Sequence, residues 1–177
     1  MEVRFTRAGD ATVKVTVERD DGAVLETTSP GGRDRLPHDL IHYVVEHELG
    51  LDDGLWGRIA GGATFGNFRV LKKGTSRRPK PKGRASKRKG VLEAEVLVGI
   101  FHDIWTGTAE REWGSIHAFL DSVWSPRTRS RADELDEKTI RRVCNALDRA
   151  EAAWTRVPRG GEVRFSWPPR VELRSPP

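Results

Sequence analysis

Period-two alternation near both ends of the chain, with helical spacing between, most narrows the folds open to it. Val3 and Phe5 alternate with polar residues, and so do Val13, Val15 and Val17. The turn signal Ala8-Gly9-Asp10 separates the two runs, which reads as a β-hairpin. Asp20-Asp21-Gly22 turns the chain into a third short strand over residues 23–27, and Ser29-Pro30-Gly31-Gly32 closes that element. At the far end Val163, Phe165 and Trp167 alternate again, and residues 162–165 repeat the Glu-Val-Arg-Phe of residues 2–5. Strands, then helices, then one strand predicts an α+β fold, not a doubly wound sheet. The expected architecture is a small antiparallel sheet, the N-terminal hairpin plus the C-terminal strand, packed on about four to five helices.

The interior supplies the helices. Pro37 suits the first turn of one helix, and Gly50 with Leu51 behind it suits a Schellman stop. Asp52 or Asp53 can cap a short second helix over residues 54–60. Phe65, Phe68, Val70 and Leu71 read as an extended stretch. Further helices are predicted over residues 91–105, from Thr108 to the Ser125-Pro126 break, and over residues 133–154. In the last of these, Ile140, Val143, Leu147, Ala150 and Trp154 recur at three- and four-residue steps.

A chain of 177 residues with 36% hydrophobic and 32% charged content can pack one core, so residues 1–177 read as a single domain. The lone cysteine, Cys144, excludes a disulfide scaffold and reads as a buried thiol. The opening residues have no apolar stretch of the signal-peptide kind, and no apolar run approaches the roughly 20 residues of a spanning helix. A cytoplasmic protein without membrane insertion is expected. The net charge of +5 is uneven: residues 72–90 hold ten Lys or Arg and no acid, leaving the remainder about five charges negative. That segment, rich in Gly, Pro and Ser, reads as a disordered basic insertion.

Two features carry candidate chemistry. The first is the stretch Pro37-His38-Asp39-Leu40-Ile41-His42-Tyr43-Val44-Val45-Glu46-His47-Glu48. Histidines at i and i+4 share a helix face and can offer two nitrogens to one divalent metal such as zinc. His38-Asp39-Leu40-Ile41-His42 resembles the His-Glu-x-x-His arrangement of zincin metallohydrolases, with aspartate in place of glutamate and without that superfamily's usual third-ligand spacing. The resemblance implies His38 and His42 as ligands and Asp39 as the catalytic base or an orienting partner. Glu46, one turn on and expected to be slightly more exposed, is the candidate third ligand; His102, Asp103 and His117 are others. His47 lies on another face. His38, close to a helix N-terminus, should resist protonation. The alternative is a pair of hydrogen-bonded histidines at a helix border.

The second feature is the basic segment. Lys72, Lys73, Arg77, Arg78, Lys87, Arg88 and Lys89 can neutralise phosphates of nucleic acid or meet an acidic protein partner. No aromatic lies among residues 72–90, so base stacking is excluded there and any binding would be to the backbone. Arg127, Arg129 and Arg131 add a second basic cluster. Gly57, Gly61, Gly62 and Gly66 lack the spacing of a phosphate loop and read as helix end and turn. The segment from Pro37-His38-Asp39-Leu40-Ile41-His42 through Gly54-Leu55-Trp56-Gly57-Arg58-Ile59-Ala60-Gly61-Gly62 resembles one carried by an uncharacterised bacterial protein family. That resemblance implies a bacterial source and no activity.

Overall fold

The structure, a computed structural model, describes residues 1–31, 36–75, 84–107 and 135–167, with the backbone alone for residues 84–89. Strands β1 (Glu2–Arg7), β2 (Thr12–Glu18) and β3 (Val24–Pro30) form an antiparallel meander. The helices are α1 (His38–Leu49), α2 (Leu55–Ala60), α3 (Arg84–Thr106) and α4 (Glu137–Thr155). Strand β4 (Arg69–Lys72) follows α2, and β5 (Glu162–Ser166) follows α4. The sheet runs in the order β4-β3-β2-β1-β5 and every pairing is antiparallel.

The α+β expectation is met, and the repeated tetrapeptide does pair: Val3 lies opposite Phe165 and Phe5 opposite Val163. The pleat explains the choice of face. Val3, Phe5, Val13, Val15, Val17 and Leu25 all point inward and are essentially inaccessible, while their neighbours face outward. The extended stretch expected after α2 becomes β4, which adds to β3 as a fifth strand with a register shift at Val24/Leu25. All four of its residues are exposed, as an edge strand allows.

Helix α1 shares the core with the inner face of the sheet and meets β1 and β5 through Tyr43. Leu40, Ile41, Tyr43, Val44 and Val45 are buried. It ends in a Schellman motif: Gly50 sits at φ 63°, its N–H reaches the His47 carbonyl, and the Leu51 N–H reaches the Glu46 carbonyl at 2.8 Å. Tyr43 fastens helix to sheet. Its ring meets Phe5, Trp56, Phe165 and Trp167, and its hydroxyl donates to the Ser166 carbonyl at 2.6 Å. Burial pushes the Tyr43 hydroxyl far above the ordinary tyrosine value, so it acts as a permanent donor. Tyr43→Phe is expected to lower stability by about 1 kcal/mol, because the hydrogen bond is lost with the packing kept; urea unfolding checks this.

Helix α4 buries its apolar stripe as expected, with Cys144 inside it. It begins at Glu137 because Asp136 caps it, the Asp136 Oδ1 accepting from the Thr139 N–H at 2.7 Å. Arg7 holds its other end, donating to the Trp154 carbonyl at 2.9 Å with the guanidinium 4.7 Å from the Trp154 ring centre. The Trp105 indole N–H donates to Asp148 Oδ1 at 2.8 Å and joins α3 to α4.

The cap of α2 and the start of α3 differ from expectation. Neither Asp52 nor Asp53 caps α2; Gly54 holds the N-cap position without a side-chain cap. Helix α3 starts at Arg84 instead of near Val91, so residues 72–90 are not one continuous loop: Lys72 ends β4 and residues 84–90 are helical. Lys, Arg and Ala are good helix formers, and their propensity outweighs like-charge repulsion between neighbouring turns. Arg77, Arg78, the predicted helix from Thr108, His117, and the Arg127, Arg129, Arg131 cluster lie outside the described residues. No described helix is long and apolar enough to cross a membrane.

Candidate metal centre

The side chains that matter lie where α1 packs on α3. Their placement follows from the apolar stripes of the two helices. Leu40, Ile41, Val44 and Val45 turn one flank of α1 inward, and Ala94, Leu97, Val98 and Phe101 do the same for α3. His38 and His42 on α1 and Glu95 on α3 stand at the border of those stripes. Their donor atoms all lie within 4.8 Å of one another, close enough to hold a metal ion. The two imidazoles meet edge to face with centroids 4.7 Å apart. The expected i, i+4 stacking of His38 and His42 is therefore found, while the third member comes from another helix.

His42 is the anchor. Its ring is buried, Nε2 faces Glu95 Oε2 at 3.3 Å, and Nδ1 faces Glu46 Oε1 at 3.1 Å. Glu46, expected at the more exposed edge, is instead completely buried. Its second oxygen, Oε2, accepts the N–H of Trp56 at 2.9 Å in the first turn of α2. Both oxygens are thus engaged inside the protein, and Glu46 stands outside the group of His38, His42 and Glu95. The correction has a steric basis. The Schellman turn at Gly50 folds α2 back over α1, and Gly54 passes so close that a Cβ there would lie 2.5 Å from Glu46 Oε2. Glycine at position 54 is what admits the Glu46 carboxyl group.

The arrangement reads as a buried carboxyl–histidine pair. With the proton on Nδ1, that N–H donates to Glu46 Oε1, which fixes the ring's tautomer and leaves Nε2 directed at the site, as the outer partners of metal-binding histidines do. Asp39 is partly exposed and is not a member of the group; it acts on both histidines as a nearby charge. His102 lies 3.6 Å from its neighbour Asp103 and also stands outside the group. His47 stacks on Tyr43 at 5.8 Å and packs against Trp167, in agreement with its expected separate face.

The two histidines are driven apart electrostatically. Burial and the neighbouring His42 lower the His38 pKa, against the opposing pull of Glu95 and Asp39. The expected direction holds, but its cause is packing and a like neighbour. Burial also disfavours the charged form of His42. There the hydrogen bond and charge of Glu46, with Glu95 and Asp39, outweigh it and raise the pKa above the usual value. In the metal-free protein, ring titration by NMR is therefore expected to give two midpoints on opposite sides of about 6.5. The linkage signs differ accordingly. The stability contributed by His42 is full below its unfolded value and is lost as pH rises through its folded value; that of His38 is gained as pH rises.

The mouth of the site is open. His38 and Glu95 are exposed, the Glu95 side chain by 53%. One turn along α3, Gly99 has no atom within 4 Å of where a Cβ would stand. One wall is buried and pre-oriented, and the other faces solvent.

Of the basic residues named from the sequence, Lys72 and Lys73 are exposed at the end of β4, and Lys87, Arg88 and Lys89 fall within α3. Glycines 61 and 62 end α2 as expected, Gly62 at φ 99°. Fold and site together define an α+β protein with a two-histidine, one-carboxylate group between two helices. No family model, curated protein or solved structure matches this chain.

Proposed function

We propose that this protein binds one divalent metal ion through His38, His42 and Glu95, and that zinc in a hydrolytic role fits the donor set best. The observation that carries the reading is the placement of His42 Nε2 and Glu95 Oε2 at 3.3 Å, with Nδ1 held from behind by a buried Glu46. Donors about 2.0–2.2 Å from a tetrahedral zinc stand roughly 3.3–3.5 Å apart, so this pair has the bite that zinc requires. His38 is on the exposed side, where a side-chain rotation can bring its nitrogen into the same sphere.

Two histidines and one glutamate leave a fourth position, and the open mouth past Gly99 gives it access to solvent. A zinc ion so held supplies an acidified water and an electrophile for a carbonyl or phosphoryl oxygen. The chain's own groups then have distinct tasks. His42 and Glu95 bind, Glu46 orients His42, and the depressed pKa of His38 keeps that ring neutral near pH 7. Asp39 contributes negative charge at the rim, without a hydrogen bond or ion pair among the described residues. The same three donors are the set of mononuclear non-haem iron sites, so the metal is to be identified directly.

The test is elemental analysis of the purified, untagged protein beside His42→Ala. Near-stoichiometric metal in the first and none in the second is expected. If neither holds metal after reconstitution with zinc, manganese and iron, the group is a hydrogen-bonded helix-border cluster and the proposal is wrong.

A further inference from the structure

The solvent face of α4 is a second unexplained feature, independent of the metal-site reading and of residues 72–90. Its exposed polar positions are Lys138, Arg141, Arg142, Asn145, Arg149 and Thr155, with Asp136 at the N-cap and Arg156 at the C-cap. Apart from Asp136 and the partly exposed Glu137 at the N-terminal end, the ionisable members are cations. Lys138, Arg142, Asn145, Arg149 and Arg156 advance by three, four or seven residues, so they fall within one narrow stripe about 27 Å long. A shallow groove, lined also by Asp136 and Glu137, follows the first two-thirds of it.

The acids near this face are engaged, Asp148 on its flank by the Trp105 indole N–H. Glu137 pairs with Arg141, Glu48 pairs with Arg142 at 3.3 Å, and Asp136 caps the helix through Thr139. Lys138, Arg149 and Arg156 have no acidic partner within 4.0 Å among the described residues. Such a face stands out in a chain whose charge outside residues 72–90 totals about five negative. Ala152 and Ala153, also exposed, leave the stripe low enough for close approach between Arg149 and Arg156.

We infer that this face docks the phosphate backbone of duplex nucleic acid, without reading its sequence. The shape of the array decides the class of ligand. A small anion needs donors that converge on one point, whereas these cations are spread along a straight line and match a polymer of repeated negative charge. A protein partner would be held by apolar or aromatic anchors, and among the described residues the exposed large hydrophobic side chains, Val70, Leu71 and Leu92, are elsewhere. Unpaired bases would call for stacking platforms, and no aromatic residue occupies the exposed face of α4. A stiff duplex, read through phosphates alone, is what remains.

The experiment is fluorescence anisotropy with the full chain and four labelled probes: duplex DNA, duplex RNA, a single strand and polyglutamate, each titrated across salt. The wild type should bind a duplex with a log–log salt slope of about −3 or steeper. The triple variant Lys138→Gln/Arg149→Gln/Arg156→Gln should flatten that slope by about 2 to 3 and weaken binding roughly tenfold to a hundredfold near 0.1 M salt. These side chains are exposed and glutamine is a good helix former, so circular dichroism should be unchanged. The charge-preserving variant Lys138→Arg/Arg149→Lys/Arg156→Lys should bind as the wild type does. Comparison of the two duplexes then tells DNA from RNA as the source of the backbone. Unchanged affinity and slope in the folded glutamine variant overturn the inference. So does polyglutamate or a single strand bound as tightly as either duplex, or no duplex binding by the wild type at low salt.

Discussion

Glu46→Ala is expected to destabilise the protein by about 3–5 kcal/mol, one of the two largest effects to be found near the site. Three losses combine. The Trp56 N–H, buried at the start of α2, is left without its acceptor. The His42 Nδ1 loses its partner at 3.1 Å in an equally dry place. A cavity opens under Gly54, whose close approach to the carboxyl group leaves little to fill the space. Thermal and urea unfolding of the metal-free protein measure the total. Glu46→Gln separates stability from site chemistry. The amide oxygen can still accept from Trp56, so most of the stability should survive, while metal affinity should fall about 10- to 100-fold because His42 is oriented less well. Equal metal affinity in Glu46→Gln and the wild type would mean that Glu46 serves only the packing of α2.

Glu95→Gln should reduce metal affinity by more than about a hundredfold, since it removes a charged ligand while keeping the size of the side chain. Its effect on folding should be within about 0.5 kcal/mol, as expected for a half-exposed surface residue. Isothermal titration with zinc reports the first quantity and urea unfolding the second. A variant that binds zinc like the wild type would remove Glu95 from the ligand set. The contrast between the two glutamates is itself a test of the geometry: the buried one should govern stability, and the exposed one should govern the metal.

The pairing of these carboxyl groups was only half legible beforehand. His38 and His42 follow from i, i+4 spacing, which any straight helix enforces. Glu46 also lies at i+4 from His42, so its nearness was readable, but its role was not. Whether it faces solvent or the interior depends on α2 folding back at Gly50, a contact between segments. Glu95 carried no local signal. It is one of three acids on α3, with Glu93 and Asp103, and its partnership with His42 exists only because α1 and α3 pack side by side. The cationic face of α4 is present in the spacing of its arginines, yet their exposure follows only from the burial of the opposite stripe.

Local pattern thus determined the strands, the Schellman stop of α1, the apolar stripe of α4 and the α+β class, because backbone periodicity and turn chemistry act over a few residues. The return of β5 to β1 was foreshadowed by alternation and a shared tetrapeptide. Tertiary structure alone decided the fifth strand at β4, the burial of Glu46 and the approach of Glu95 to His42. Each of these depends on which faces meet across tens of residues, and the free energy that selects such meetings comes from burying whole surfaces together.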